Sequence, residues 1–233
     1  MPLVQNPSLG GSQVATLSTT TVLNSAQILA CNTVPVNLIP APGAGKIIVV
    51  FGAMMVYSFG AHAYVTSGPD ELDLFFNNPQ QDEVTQPFMS LLTGPRSRYL
   101  YLGGNAGGPG LPADDVNTAV AVGNFATGFA FGPIVTATLG AGGLGYAAND
   151  TGTITNGAND ATYKVLTVGA GGAVLTFQIT GAGTACSVAN GNATVDGGAQ
   201  PGVGVGFTVN ITAVQTGDGT LKVVTYYQII PVP

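Results

Sequence analysis

The chain has 233 residues, of which 45% are hydrophobic and only 7% charged, with a net charge of −6. That is enough apolar surface for a core, but far below the roughly 25% charged content of an ordinary soluble domain. The five Lys and Arg are scattered and form no basic stripe for nucleic acid, and a single His without CxxC or HExxH spacing points to no metal site.

No charge precedes Lys46, and none lies between Asp115 and Asp150. A free monomer with so few charges is poorly protected against association, so much of the surface is expected to be covered by other subunits. Cys31 and Cys186 sit far apart in apolar surroundings and are expected as buried free thiols. The start, Met1-Pro-Leu-Val-Gln-Asn, lacks the basic residues and apolar run of a signal peptide.

In chain order, residues 1–21 are small, polar and unpatterned, which predicts an extended arm. Asn24 and Ser25 precede a short apolar run to Cys31, the pattern of a capped helical turn or two. Val34 to Pro40 alternates as an edge strand, because Pro35 and Pro40 cannot donate to a ladder. Lys46 to Tyr57 is continuous in Ile, Val, Phe and Met, and predicts a core strand buried on both faces. Lys46 to Val65 is long enough to imitate a membrane span, but Gly52, Ser58, Gly60 and His62 favour a strand and turn, with no membrane insertion.

Ala63–Val65, Leu72–Phe76, Tyr99–Leu102 and Asn117–Val122 follow as further strands. Between them lie a turn at 67–71, a polar loop at 77–86 and a glycine loop at 103–110. At the far end, Gly219 to Ile230 is the strongest strand of the chain, filled with Val, Thr, Tyr and Ile. No segment of ten residues holds a 3.6 period, so the class is all-β.

Residues 134–214 are dense in Gly, Ala, Thr and Asn, with Lys164 as their single cation. Strands are expected at 152–155, 161–168, 173–179, 192–195 and 206–214, in two loosely similar passages that read as a weak tandem repeat sharing one core. Gly140-Ala-Gly-Gly-Leu-Gly145 matches GxGxxG, with Asp160 fifteen residues on. Dinucleotide binding needs a helix N-terminus after the glycines, and Tyr-Ala-Ala-Asn-Asp-Thr-Gly starts none. The glycines are expected as turns between strands, and no cofactor is expected.

Gly142-Gly-Leu-Gly-Tyr146 with Asp150 resembles the GG-x-GY-x-x-x-D repeats of bacteriophage virion proteins. Leu23 to Leu29, Val36 to Gly43 and Gly217-Asp-Gly-Thr-Leu-Lys-Val-Val-Thr-Tyr-Tyr227 resemble phage structural domains. The resemblance implies a virion component, assembled in the host cytoplasm.

Other constellations give weaker signals. Asp70, Glu71 and Asp73, with the pairs Asp82-Glu83 and Asp114-Asp115, are expected as solvated loop carboxylates rather than a calcium site or a glycosidase pair. His62 alone offers no triad and is expected as a strand-end histidine. Arg96 and Arg98 flank Ser97 before a strand and are the candidates for ion pairs with an acidic loop of a neighbouring subunit.

The whole reads as an all-β host domain of sandwich or jelly-roll type, residues 22–131 plus 217–233, with a small β-domain, 132–216, inserted before its last strand. On that layout 117–122 should pair with 220–230, and finding them in different sheets would count against the insertion. The expected function is non-enzymatic: a homo-oligomeric, trimeric virion protein decorating the capsid, docked on the major capsid protein through the arm. A tail-associated receptor-binding protein touching host surface glycans is the alternative, with a carbohydrate-active enzyme or adhesin behind it.

Overall fold

The computed structural model describes residues 15–66, 72–77, 84, 91–103, 117–124, 128–197 and 204–232. Residues 1–14, the turn at 67–71, the glycine loop from 104 and the acidic residues Asp70, Glu71, Asp82, Glu83, Asp114 and Asp115 lie outside them. The fold is all-β, with one short helix and three antiparallel sheets.

Strands β1 (Leu17–Leu23), β3 (Lys46–Ser58), β5 (Arg98–Gly103) and β13 (Thr220–Pro231) form a four-stranded sheet in the order β1-β13-β3-β5. Strands β2 (Val36–Ile39), β4 (Leu72–Phe76) and β6 (Val120–Asn124) form a three-stranded sheet in the order β2-β6-β4. Between them lies one core, in which Leu23, Ala53, Met55, Tyr57, Leu221 and Val223 of the first sheet meet Leu38, Leu74, Phe76, Val120 and Val122 of the second. Helix α1 (Ser25–Ala30) links β1 to β2 and adds Ile28 to that core. Its capping box is complete: the Asn24 side chain accepts from Gln27 N–H at 2.9 Å, and Gln27 Oε1 accepts from Asn24 N–H at 3.0 Å.

Four sequence expectations change here. Residues 17–21, assigned to the arm, are most of β1, paired residue for residue with β13 from Leu17↔Tyr227 to Leu23↔Leu221. The run Ser18-Thr-Thr-Thr-Val22 is β-branched and needs only a neighbouring strand to extend. Ala63–Val65 is no regular strand, and only Val65 forms an isolated bridge, to Ala130 and Phe131. Strand β3 is buried on one face only, its other face carrying half-buried Met54 and Val56 and exposed Phe51. Finally, β6 and β13 do not pair but lie in different sheets, β6 between β2 and β4 and β13 between β1 and β3. In a sandwich, strands of one core can face each other across it instead of sharing a ladder, and both feed this core.

The remaining six strands make one sheet in the order β10-β9-β8-β11-β12-β7, with β7 (Ile134–Leu144), β8 (Thr151–Ile154), β9 (Ala161–Val168), β10 (Val174–Gly181), β11 (Ala189–Asp196) and β12 (Val205–Val214). The sheet curls until its two edges meet. Ile134 N–H donates to Ala182 O at 2.8 Å at one end, and Tyr146 N–H to Gly172 O at 3.0 Å at the other. This nearly closed barrel has its own core, centred on Phe207, whose ring stands edge-on to Tyr163 (5.0 Å), Phe177 (5.4 Å) and Tyr146 (5.8 Å). The two passages contribute four strands and two, so they do not match strand for strand. The sandwich and barrel cores share no residue.

The glycines expected as turns lie inside β7. Their absent side chains let the barrel close: a Cβ on Gly142 would stand 2.7 Å from Val174 O, and one on Gly143 (φ +63) would run into Val205 O and Phe207 N. Gly145 (φ +82) then turns the chain so that Tyr146 enters the core. Asp150, itself buried, closes the turn by accepting from Ala147 N–H at 2.7 Å. The GG-x-GY-x-x-x-D signature here is a barrel-closing device.

Candidate functional site

The register of the four-stranded sheet places its outward residues in a grid. One row runs Val22, Lys222, Val56, Tyr99, the next Thr20, Val224, Met54, Tyr101, and the third Ser18, Tyr226, Gly52, Gly103. Strand alternation sets these apart from the buried set, Leu23, Ala53, Met55, Tyr57, Leu221 and Val223. Tyr99 is 85% exposed, Tyr101 67% and Val22 57%, with Phe51 and Tyr226 partly exposed beside them. The Tyr101 ring leans across its neighbour strand, its hydroxyl 3.0 Å from where a Cβ of Gly52 would be. That contact fixes the ring's position and keeps Gly52 buried on an open face. An aromatic patch of this size on an uncovered sheet is the strongest surface feature of the molecule.

Arg96 and Arg98 fall at the same end of this face as Lys222. Arg98 opens β5 in register with Tyr57, one residue pair from the Lys222–Val56–Tyr99 row. Both arginines are exposed, and the Arg98 guanidinium folds over Gly94, where any side chain would displace it. None of the four strands carries Asp or Glu. Three of the chain's five cations therefore gather at one end of an acid-free sheet.

His62 acquires a partner that sequence spacing hid: Asp218, 156 residues on. Asp218 Oδ1 accepts from the backbone N–H of Ala61 and His62, both at 2.9 Å, and Oδ2 lies 3.4 Å from His62 Nδ1. The glycines on either side, Gly217 and Gly219, pass against the rings of Tyr64 and Tyr57, and Tyr64 Oη donates to Gly219 O at 2.7 Å. Burial, chiefly, pushes both phenols above the ordinary tyrosine value. Gly217-Asp-Gly219 is thus a splice that seats the chain returning from the barrel onto the loop after β3. The signal in the sequence was the Gly-Asp-Gly triplet, but nothing local says which loop it meets.

The splice carries a pH dependence. The N–H of His62, then that of Ala61, hold the Asp218 carboxyl below its ordinary value. A depressed native pKa stabilises the fold fully above the unfolded value of about 4 and stops doing so as pH falls through the native value. Asp218→Asn is expected to destabilise the protein at pH 7, the difference from wild type shrinking as the wild-type carboxyl protonates. Denaturant unfolding at several pH values reads this, and a difference undiminished near pH 2 would sink it.

Asp73, expected on a solvated turn, is instead buried within β4. Cys31 and Cys186 are free and buried, one in each core, and burial, then the nearby Asp160, raises the Cys186 thiol. Among the described residues no three His, Cys, Asp or Glu side chains converge, and no helix is long and apolar enough to cross a membrane. The GxGxxG glycines sit in β7 with no helix behind them, so they form no phosphate cradle. No protein-family model, curated protein or solved structure matches the chain.

Proposed function

We propose that the chain is a structural protein of a bacteriophage virion, a homo-oligomer that decorates the capsid by subunit docking rather than by catalysis. The observation that carries this reading is the outward aromatic face of the four-stranded sheet in a chain with so little charge. The likeness of the glycine-rich segment to virion repeats supports it. The sandwich docks on the shell and on sister subunits, a trimer being the expected assembly. The barrel projects outward, its surface polar but nearly uncharged, with cross-strand threonine pairs such as Thr136–Thr212 (2.7 Å) and Thr167–Thr176 (2.6 Å).

Immunogold imaging of purified particles tests this reading, and regular labelling of the head is the expected result. Absence from particles would overturn it, and label confined to the tail tip would favour the receptor-binding alternative. Attachment through the arm is tested by removing residues 1–14, because a longer cut takes away β1. Loss of head label with an unchanged melting temperature is expected.

A further inference from the structure

We infer that the outward face of the β1-β13-β3-β5 sheet is where a second copy of this chain docks, and that the contact is head-to-tail. The face of one copy meets an acidic flank of the next. The occupant follows from area and charge. Taking roughly 150–250 Å² for each large side chain, the uncovered parts of Tyr99, Tyr101, Val22, Phe51 and Tyr226 present about 500 Å². A matching area on the partner gives about 1,000 Å² in total, the lower bound for a specific interface. Tyrosine is the residue type that carries interface energy, because it buries a large rigid body and keeps a polar tip wet.

Charge then selects the orientation. Arg96, Arg98 and Lys222 lie at one end of the face and its strands hold no acid. Taking those three charges from a net of −6 leaves −9 on the rest of the molecule. Two such faces stacked on each other with their basic ends together would bury like charge. A face set against another part of the next copy meets an acidic surface instead. A contact joining two different patches is heterologous, and it ends in a closed ring when the rotation permits. Lys222 therefore acts as an orienting residue, discriminating against the face-to-face arrangement while the tyrosines supply the adhesive area.

Only the homo-oligomer is shared with the virion reading, so solution mass and particle labelling can fail separately. The test is sedimentation equilibrium of the full chain across about 1–100 µM, in low salt and in 0.5 M NaCl. Association at low salt is expected, with the dissociation constant rising tenfold or more in high salt. Lys222→Glu is expected to give a similar weakening, and Tyr99→Ser with Tyr101→Ser to abolish association. In case the double variant unfolds, carbene footprinting of the wild type reads the same contact: Tyr99 and Tyr101 should become protected as concentration rises. A wild type that stays monomeric at 100 µM overturns the inference. So does association unchanged in folded variants, or tyrosines labelled equally at all concentrations.

Discussion

Phe207→Ala is expected to lower the melting temperature of the barrel by about 12 °C or more while leaving the sandwich in place. Phe207 is buried at the centre of the barrel core, with three aromatic rings edge-on to it. Truncating a buried phenylalanine costs about 3–5 kcal/mol, from lost transfer free energy and the cavity left behind. For a unit of this size each kcal/mol is worth about 4–8 °C. The barrel closes by only a few hydrogen bonds between β7 and β10, so the core rings hold its curvature more than the seam does. Because the two cores share no residue, calorimetry should show two transitions, with only one displaced. A single transition, or a shift of both together, would show that sandwich and barrel unfold as one.

Gly132→Ala is expected to cost about 3 kcal/mol or more and to damage both units at once. Gly132 N–H donates to Cys186 O at 2.9 Å, and Gln215 N–H donates to Pro133 O at 2.8 Å, so the outgoing and returning chains lie side by side. A Cβ on Gly132 would meet the carbonyl oxygen of Gln215, a backbone atom with no rotamer to yield. Overpacking against backbone commonly costs about 1–3 kcal/mol and occasionally more. Gly103→Ala is the matched control, since its Cβ would meet nothing within 4 Å and its backbone is in an ordinary region. Urea unfolding of the two variants should separate them clearly. Equal midpoints would mean that the junction adjusts more freely than its packing indicates.

What could be read from the sequence was whatever local chemistry decides. The Asn24 cap, the edge character of β2 between its prolines, and β9, β10, β12 and β13 all follow from residue type and period. The all-β class follows from the same signals. What could not be read was partnership. Thr19, Thr20 and Thr21 look like an unpatterned arm until β13, two hundred residues away, supplies the ladder. Sequence likewise gives no means of telling whether β6 and β13 share a sheet or face each other across the core. The Asp218–His62 contact is equally invisible, because its geometry depends on a return path that closes only after the barrel has folded. The glycines of β7 misled in the opposite direction. Glycine signals a turn when no close neighbour is known, and a tight strand crossing when one is.

The candidate surface was half legible. Tyr99 and Tyr101 announce one outward side of a strand, and Arg96 and Arg98 mark its start. Their company with Lys222, Val22 and Phe51 is a product of the sheet order β1-β13-β3-β5, which no local signal encodes.

The placement of β13 has a mechanical consequence. A pull on the barrel reaches the sandwich partly through Thr216–Gly219 and loads β13 from its first residue. That strand is held on one side by β1 over seven residue pairs and on the other by β3 along its whole length. Tension directed along the strand is shared by many ladder hydrogen bonds instead of peeling them one at a time. The Asp218 clasp and the Tyr64 hydroxyl bond at its head bear the first strain. A projecting module anchored in this way resists drag by shear, and the clasp is where it should first give.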